Sequence, residues 1–247
     1  MDAVVPSSHT CCQPTARPPR QSSMKISLLI PTKNEVEGIG WILDHARPFV
    51  DEILVIDGHS MDGTAEICRA QNVQVILDNG KGKGAAIREG LRHVTGDIVV
   101  MMDADGSHDP ADIPRLIEPI IHGEQDLVLG SRILGGSDEL RGDIIQFLRN
   151  LGGGIITMAI NYRWHTRLTD ILNGFRAIRR ASVSRLNLRA NDFDIEQHMV
   201  VECLKKGVRV KDIPCHESVR KWGVSKLPTF RKARLFFWRL FLDLVFP

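Results

Sequence analysis

Hydrophobic positions in this chain follow two periods that take turns. From Met24 onward, short unbroken apolar runs alternate with longer stretches in which apolar residues recur every third or fourth position. The runs are Lys25–Ile30, Glu52–Ile56, Val73–Leu77, Ile98–Met102 and Asp126–Gly130. An apolar run without alternation suits a strand covered on both faces. The intervening stretches predict helices over 35–48, up to Ala70, over Lys83–Val94 and over Pro110–Ile121. Strand and helix in strict turn specify an α/β domain whose mostly parallel, Rossmann-like sheet is flanked by helices.

Residues 1–23 show neither period. They are rich in Pro, Ser and Thr, and Ala3-Val4-Val5 is their longest apolar run, too short for a leader core. A disordered tail is expected there, with a single domain over 24–227 and an amphipathic helix within 228–247. Composition changes this picture little: 43% hydrophobic and 25% charged residues are ordinary for a globular protein. The five cysteines are odd in number and match no zinc spacing, so reduced thiols of a cytosolic protein are expected. Cys68 and Cys203 fall on apolar helix faces. No apolar window of about 18 residues predicts a transmembrane helix.

The ends of the predicted strands carry the chemistry. Pro31–Glu35 (PTKNE) follows the first, and Asp57 with Ser60, Asp62, Gly63 and Thr64 follows the second. GKGKGAA (80–86) follows the third, Asp103 and Asp105 the fourth, and Gly130, Ser131 and Arg132 the fifth. Ligands of parallel sheets gather at these carboxyl ends, so a nucleotide-type ligand is expected on this edge. Asp62 and Thr64 are better read as capping residues than as ligand contacts. The glycine run lacks GxxxxGK[ST] and so is not a Walker loop. It either brings Lys83 and backbone amides to an anion or serves close packing.

In DIVVMMDADGSHDP (97–110), Asp103 and Asp105 sit one residue apart beyond a buried strand. Such carboxylates are costly without positive charge between them, and a hard divalent cation carrying phosphate oxygens suits them. The alternative is a polar loop whose aspartates cap the next helix. His108 reads as a loop histidine bonded to backbone rather than as a ligand.

Taken together, SLLIPTKNE (27–35), VIDGHSMDGT (55–64), GKGAAIREG (82–90), MDADGSHDP (102–110), DLVLGSR (126–132), DILNGFRAIRR (170–180), FDIEQHMVVECLKKG (193–207) and RKWGVSKL (220–227) resemble the family 2 glycosyltransferases of the GT-A fold. Within that family the chain is most similar to the dolichol-phosphate and polyprenyl-phosphate mannose synthases. The resemblance covers roughly residues 25–227. It implies that Pro31, Lys33 and Glu35 line a nucleotide pocket, with Ile56 and Asp57 near base and ribose. Asp103, Ala104 and Asp105 would form a DxD-type site, with Asp105 the main ligand of Mg²⁺ or Mn²⁺ on the diphosphate. Arg132 would face phosphates, and Arg220 and Lys226 would contact the diphosphate and an acceptor phosphate. Several positions depart from the family pattern. Lys33 stands where an aromatic is usual and Gly58 replaces the second Asp of DDGS. Ser107 replaces a glutamine and is a weaker metal or water ligand. Ile171 and Asn173 replace Pro and Ser of DPTSGFR.

The implied activity is inverting transfer of a hexose from a nucleotide sugar such as GDP-mannose or UDP-glucose to polyprenyl phosphate. A diphosphate leaving group needs cationic stabilisation, for which Asp105 with its metal, Arg220 and Lys226 suit. A phosphate acceptor is already an oxyanion and needs no base. A hydroxyl acceptor needs a carboxylate, with Asp192, Asp194 and Glu196 as candidates. Asp194 and Glu196 serve equally as favourable charges at a helix N-terminus. The alternatives are a soluble transferase acting on a hydroxyl and a non-catalytic nucleotide-sugar binder. Intact Asp103, Asp105, Arg132, Arg220 and Lys226 argue against the latter.

From Arg220 to Arg239 there are seven Lys or Arg and no acid, and Leu235–Phe246 then holds four of the nine Phe. Twelve helical residues span about 18 Å, short of the roughly 30 Å hydrocarbon core. Arg239 and Asp243 share one face, which suits a helix lying in the plane of a membrane surface. A cytoplasmic protein, peripheral on the membrane's cytoplasmic face, follows as the expectation. The other reading is a helix packed on the domain or on a second copy in a homo-oligomer. No recognition motif accompanies this charge, so nucleic acid is not expected as a partner.

Overall fold

The computed structural model describes residues 24–138, 144–222 and 229–245. In chain order the elements begin β1 (Ile26–Thr32), α1 (Val36–Ala46), β2 (Glu52–Asp57), α2 (Thr64–Ala70), β3 (Gln74–Leu77) and α3 (Lys83–His93). They continue with β4 (Ile98–Met101), α4 (Ile113–Ile121), β5 (Leu127–Ser131), α5 (Arg132–Gly135) and α6 (Ile144–Trp164). The last are β6 (Arg176–Arg179), α7 (Arg180–Val183), α8 (Ile195–Lys205), β7 (Val210–Pro214) and α9 (Thr229–Val245). The seven strands form one sheet in the order β3-β2-β1-β4-β6-β5-β7. All neighbours run parallel except β6, which is antiparallel to both β4 and β5.

The unbroken apolar runs are explained by cover on both faces. Leu28, Ile30, Val55, Ile98 and Val100 point to one side, where Ile39, Ile42 and Leu43 of α1 and Leu116 and Ile120 of α4 meet them. Leu29, Leu54, Ile56, Val99 and Met101 point to the other, against Ile87 of α3, Ile156 and Ile160 of α6 and Met199 of α8. Each buried Leu or Ile contributes about 1.5–3 kcal/mol. Cys68 and Cys203 lie in these two layers, and Cys68, Cys203 and Cys215 are free thiols.

Most expected elements appear within a residue or two of their expected ends. Strand β1 runs on through Pro31, which had marked its expected end. Its pairing with β4 stops at Leu29 and Met101, so the missing proline N–H leaves no ladder bond unmade on that side. The face of α9 bearing Arg239 and Asp243 departs from its expected orientation. Arg239 Nε donates to Asp194 at 2.8 Å, and Asp243 is only 2% exposed, accepting from Gln197 at 3.2 Å. Its other carboxylate oxygen lies 3.4 Å from His198 Nδ1. A pair of opposite charges on one helix face here finds buried partners on α8, and the aromatic face of α9 turns outward instead. Among the described residues no helix is long and apolar enough to cross a membrane.

Candidate active site

The loops after β1 and β2 meet at one edge of the sheet, and their side chains lace them together. Asp57 Oδ2 accepts from the Ser60 amide at 3.0 Å, and Ser60 Oγ accepts from the Asn34 amide at 2.8 Å. Asp62 caps as expected and serves two helices: its Oδ1 accepts from the Thr64 amide at 3.0 Å at the start of α2, and its Oδ2 from the Val36 amide at 3.0 Å at the start of α1. Thr64 Oγ1 receives the Glu35 amide at 2.9 Å. Lys33 is exposed beside this turn, Pro31 is half-buried and Glu35 is buried at the start of α1. Ile56 sends its side chain into the core, so only its backbone reaches this edge.

The fourth loop holds the two aspartates in different company. The Lys83 ammonium bridges Asp103 at 2.8 Å and Glu196 at 2.9 Å. Burial opposes the charge of Lys83, but Asp103 and Glu196 hold its pKa above the ordinary lysine range. Burial would raise the Asp103 pKa, yet Lys83 holds the carboxyl below the usual carboxylate range. A side chain at position 174 would stand 2.9 Å from Asp103 Oδ2, so Gly174 leaves room for this bridge. Asp105, two residues on and buried, pairs with Arg220 Nη2 at 2.8 Å and accepts from the Ser107 amide at 3.0 Å. Ala104 between them is core. The two glycines flanking Lys83 serve close packing: added β-carbons would meet Asn191 O at 2.7 Å from Gly82 and Ala190 O at 2.6 Å from Gly84.

Arg132 reaches the rim of the site with its guanidinium engaged. It donates to Asp170 through Nε at 2.6 Å and Nη2 at 3.0 Å, and Nη1 lies 3.4 Å from Glu217. Burial would raise the Asp170 pKa, but Arg132 overcomes this and holds the carboxyl below the usual carboxylate range. His108 is buried, and its Nε2 lies 2.7 Å from the Asn173 side-chain oxygen rather than from backbone. Its ring is kept neutral by burial, which lowers its pKa. Lys226 lies outside the described residues.

Sequence reasoning missed the part played by the segment before β6. Because β6 is antiparallel, its start, not its end, faces the edge, and it delivers Asp170, Asn173 and Arg176 there. Arg176 is fully buried and donates to Asn173 O at 3.1 Å and Glu196 O at 2.8 Å, tying this segment to the start of α8. The signal was the GFR triplet, whose arginine stands at the head of an apolar strand.

A family model, Glycosyl transferase family 2, matches residues 27–186. The chain belongs to that family. This family 2 glycosyltransferase is 31% identical over 223 residues to glycosyltransferase AglJ of Haloferax volcanii, covering 85% of this chain and 72% of the other. It is 31% identical over 221 residues to the undecaprenyl-phosphate mannosyltransferase of Micrococcus luteus, covering 83% and 88%. With the dolichol-phosphate mannosyltransferase of Pyrococcus furiosus it shares 34% over 217 residues, 83% of this chain and 59% of that one. Among solved structures, glucosyl-3-phosphoglycerate synthase from Mycobacterium tuberculosis, with Mn²⁺, uridine diphosphate and glucosyl-3-phosphoglycerate, superposes with a TM-score of 0.72. That match is 23% identical and covers 94% of this chain and 86% of the other, which fixes the fold as GT-A.

Proposed function

We propose that this glycosyltransferase moves a hexose, mannose or glucose, from a nucleoside diphosphate sugar to a polyprenyl phosphate at the cytoplasmic face of a membrane, with inversion. The observation that carries the acceptor is the state of the carboxylates a hydroxyl acceptor would need. Asp194 is paired with Arg239 at 2.8 Å and Glu196 with Lys83 at 2.9 Å, while Asp192 accepts from the Phe193 amide at 2.9 Å. A phosphate monoester needs no base, only cations that hold it near another anion. The names of the Micrococcus and Pyrococcus relatives support the same acceptor class.

The aspartates suit a divalent ion. Asp105 already holds a cation, the Arg220 guanidinium at 2.8 Å, and Asp103 lies two residues before it on the same loop. Mg²⁺ or Mn²⁺ accepts one or two carboxylates and fills its remaining positions with phosphate and water oxygens. Bound there, it would neutralise charge on the leaving diphosphate. Asp105 and Asp103 would hold it, and Arg220 and Lys226 would take the phosphate oxygens. Pro31, Lys33, Glu35 and Asp57 would line the nucleotide pocket. Membrane contact is supported by the outward face of α6 and α9. Leu148, Leu151, Ile155, Met158 and Tyr162 form one exposed stripe on α6, and Phe237, Trp238 and Phe241 stand exposed on α9.

The test supplies purified protein with radiolabelled GDP-mannose or UDP-glucose, polyprenyl phosphate or 3-phosphoglycerate, and Mn²⁺, Mg²⁺ or chelator. Metal-dependent label in the organic phase is expected, and Asp105→Ala should lower it by about 10²-fold or more. Label transferred only to the water-soluble acceptor would overturn the proposal.

A further inference from the structure

We propose that Trp222 is a positioning residue: its indole, wedged in a slot walled by Gly38 and Gly106, sets where Arg220 stands against Asp105. This rests on the reading of Asp105 and Arg220 as the phosphate end of the site. The slot is built from two elements far apart in sequence. A β-carbon on Gly38 of α1 would lie 2.8 and 3.2 Å from indole carbons, and one on Gly106 would lie 2.5 and 2.8 Å away. Gly106 also has φ +72°, a left-handed conformation that glycine adopts without strain. The ring of Trp41 lies 5.6 Å from that of Trp222, and the Lys221 ammonium sits 4.3 Å above the Trp41 ring centroid.

The backbone around Arg220 is fastened on both sides. The Ser218 amide donates to Ser107 O at 2.9 Å, and the amides of Lys221 and Trp222 donate to Asp105 O at 3.2 and 3.4 Å. Arg220 stands between these two attachments, and its own side chain spans to Asp105 at 2.8 Å. The guanidinium is thus the long, rotatable part facing Asp105 of a segment whose main chain is pinned to the aspartate loop. Were Asp105 to hold a metal ion, Arg220 would have to release it and find another anion. With the indole seated, that exchange is a side-chain rotation and the backbone stays in place. The guanidinium then remains within reach of whatever phosphate the ion carries. A ring held only for packing would stabilise the fold without setting this geometry.

The test compares Trp222→Phe and Trp222→Ala with the full-length parent, with Trp222→Leu standing in should the alanine variant not fold. In ligand-free protein, trypsin cleavage after Arg220 and Lys221 should quicken about tenfold in the alanine or leucine variant, through local opening. It should stay near the parent rate in the phenylalanine variant. In the transfer assay the alanine or leucine variant should lose about 10²-fold in kcat, the scale of a 1 Å misplacement, with donor KM within threefold. Phenylalanine should restore most of the loss. Unchanged cleavage and unchanged kcat without the ring would overturn the role of Trp222, as would loss of kcat matched by an equal loss of thermal stability. Faster cleavage in a protein whose parent form labels no polyprenyl phosphate would keep the positioning role and remove the acceptor reading instead.

Discussion

Lys83 was legible in the sequence as a cation at a helix start, but its partners were not. They lie 20 and 113 positions away, and no local pattern pairs a loop lysine with Asp103 and Glu196. Arg132 has the same history. The residue was singled out, yet Asp170 and Glu217 became its partners only through the antiparallel return of β6 and the path of the loop after β7. Removing one member of such a buried pair leaves charge uncompensated, so Asp170→Asn should destabilise the fold by about 3 kcal/mol at pH 7. The sign with pH follows from the depressed carboxyl. Its contribution is present above the unfolded value of about 3.9 and is lost as pH falls through the lower folded value. The urea midpoints of parent and variant should therefore draw together only as pH falls below about 4; a gap undiminished down to the acid limit of folding would assign the loss to something other than the ion pair.

At the scale of the element, the strands and helices up to Ser131 could be read almost directly, because burial on both faces writes β1, β2, β4 and β5 as apolar runs, while the half-buried β3 closes the sheet at its edge. The second half was harder. Strand β6 opens with Arg176 and has four residues, and the half-exposed β7 mixes Lys211 and Asp212 among its apolar positions. The GKGKG run left two readings open, and the packing reading prevailed for Gly84, whose α-carbon lies against the backbone of 190–192. Gly84→Ala should cost about 1–3 kcal/mol, since backbone oxygen at 2.6 Å cannot step aside. Gly40→Ala, on α1 with its nearest atoms at 3.7 Å, should instead stabilise by about 0.5–1 kcal/mol. Thermal or urea unfolding of the two variants separates crowding from a general intolerance of alanine.

For the whole molecule, α9 presents two different faces. Arg239 and Asp243, expected at a lipid surface, instead face the N-terminal end of α8, and Phe237, Trp238 and Phe241 face out, with Trp238 60% exposed. A deletion of the helix would uncover Asp194, Gln197 and His198 and confuse folding with membrane contact. Exposed positions make the cleaner probe. Trp238→Ser combined with Phe241→Ser should leave unfolding unchanged within about 0.5 kcal/mol. The same pair should abolish co-sedimentation with vesicles of phosphatidylcholine and phosphatidylglycerol. Sedimentation equal to the parent's would assign vesicle contact elsewhere or to none of this face.

The place where β6 enters the sheet has one more consequence. Strand β5 closes at Ser131 and β6 opens at Arg176, and the two are hydrogen-bonded neighbours with Leu129 opposite Arg176. Everything between, α6 with its apolar stripe included, is an excursion that leaves and rejoins the sheet at adjacent points. Loop-closure entropy grows only by about 0.6 kcal/mol for each doubling of length. The exposed face of such an excursion is free to vary while the sheet that carries Asp103 and Asp105 keeps its pairing, provided Ile156 and Ile160 remain to fill the core and Asp170 to hold Arg132.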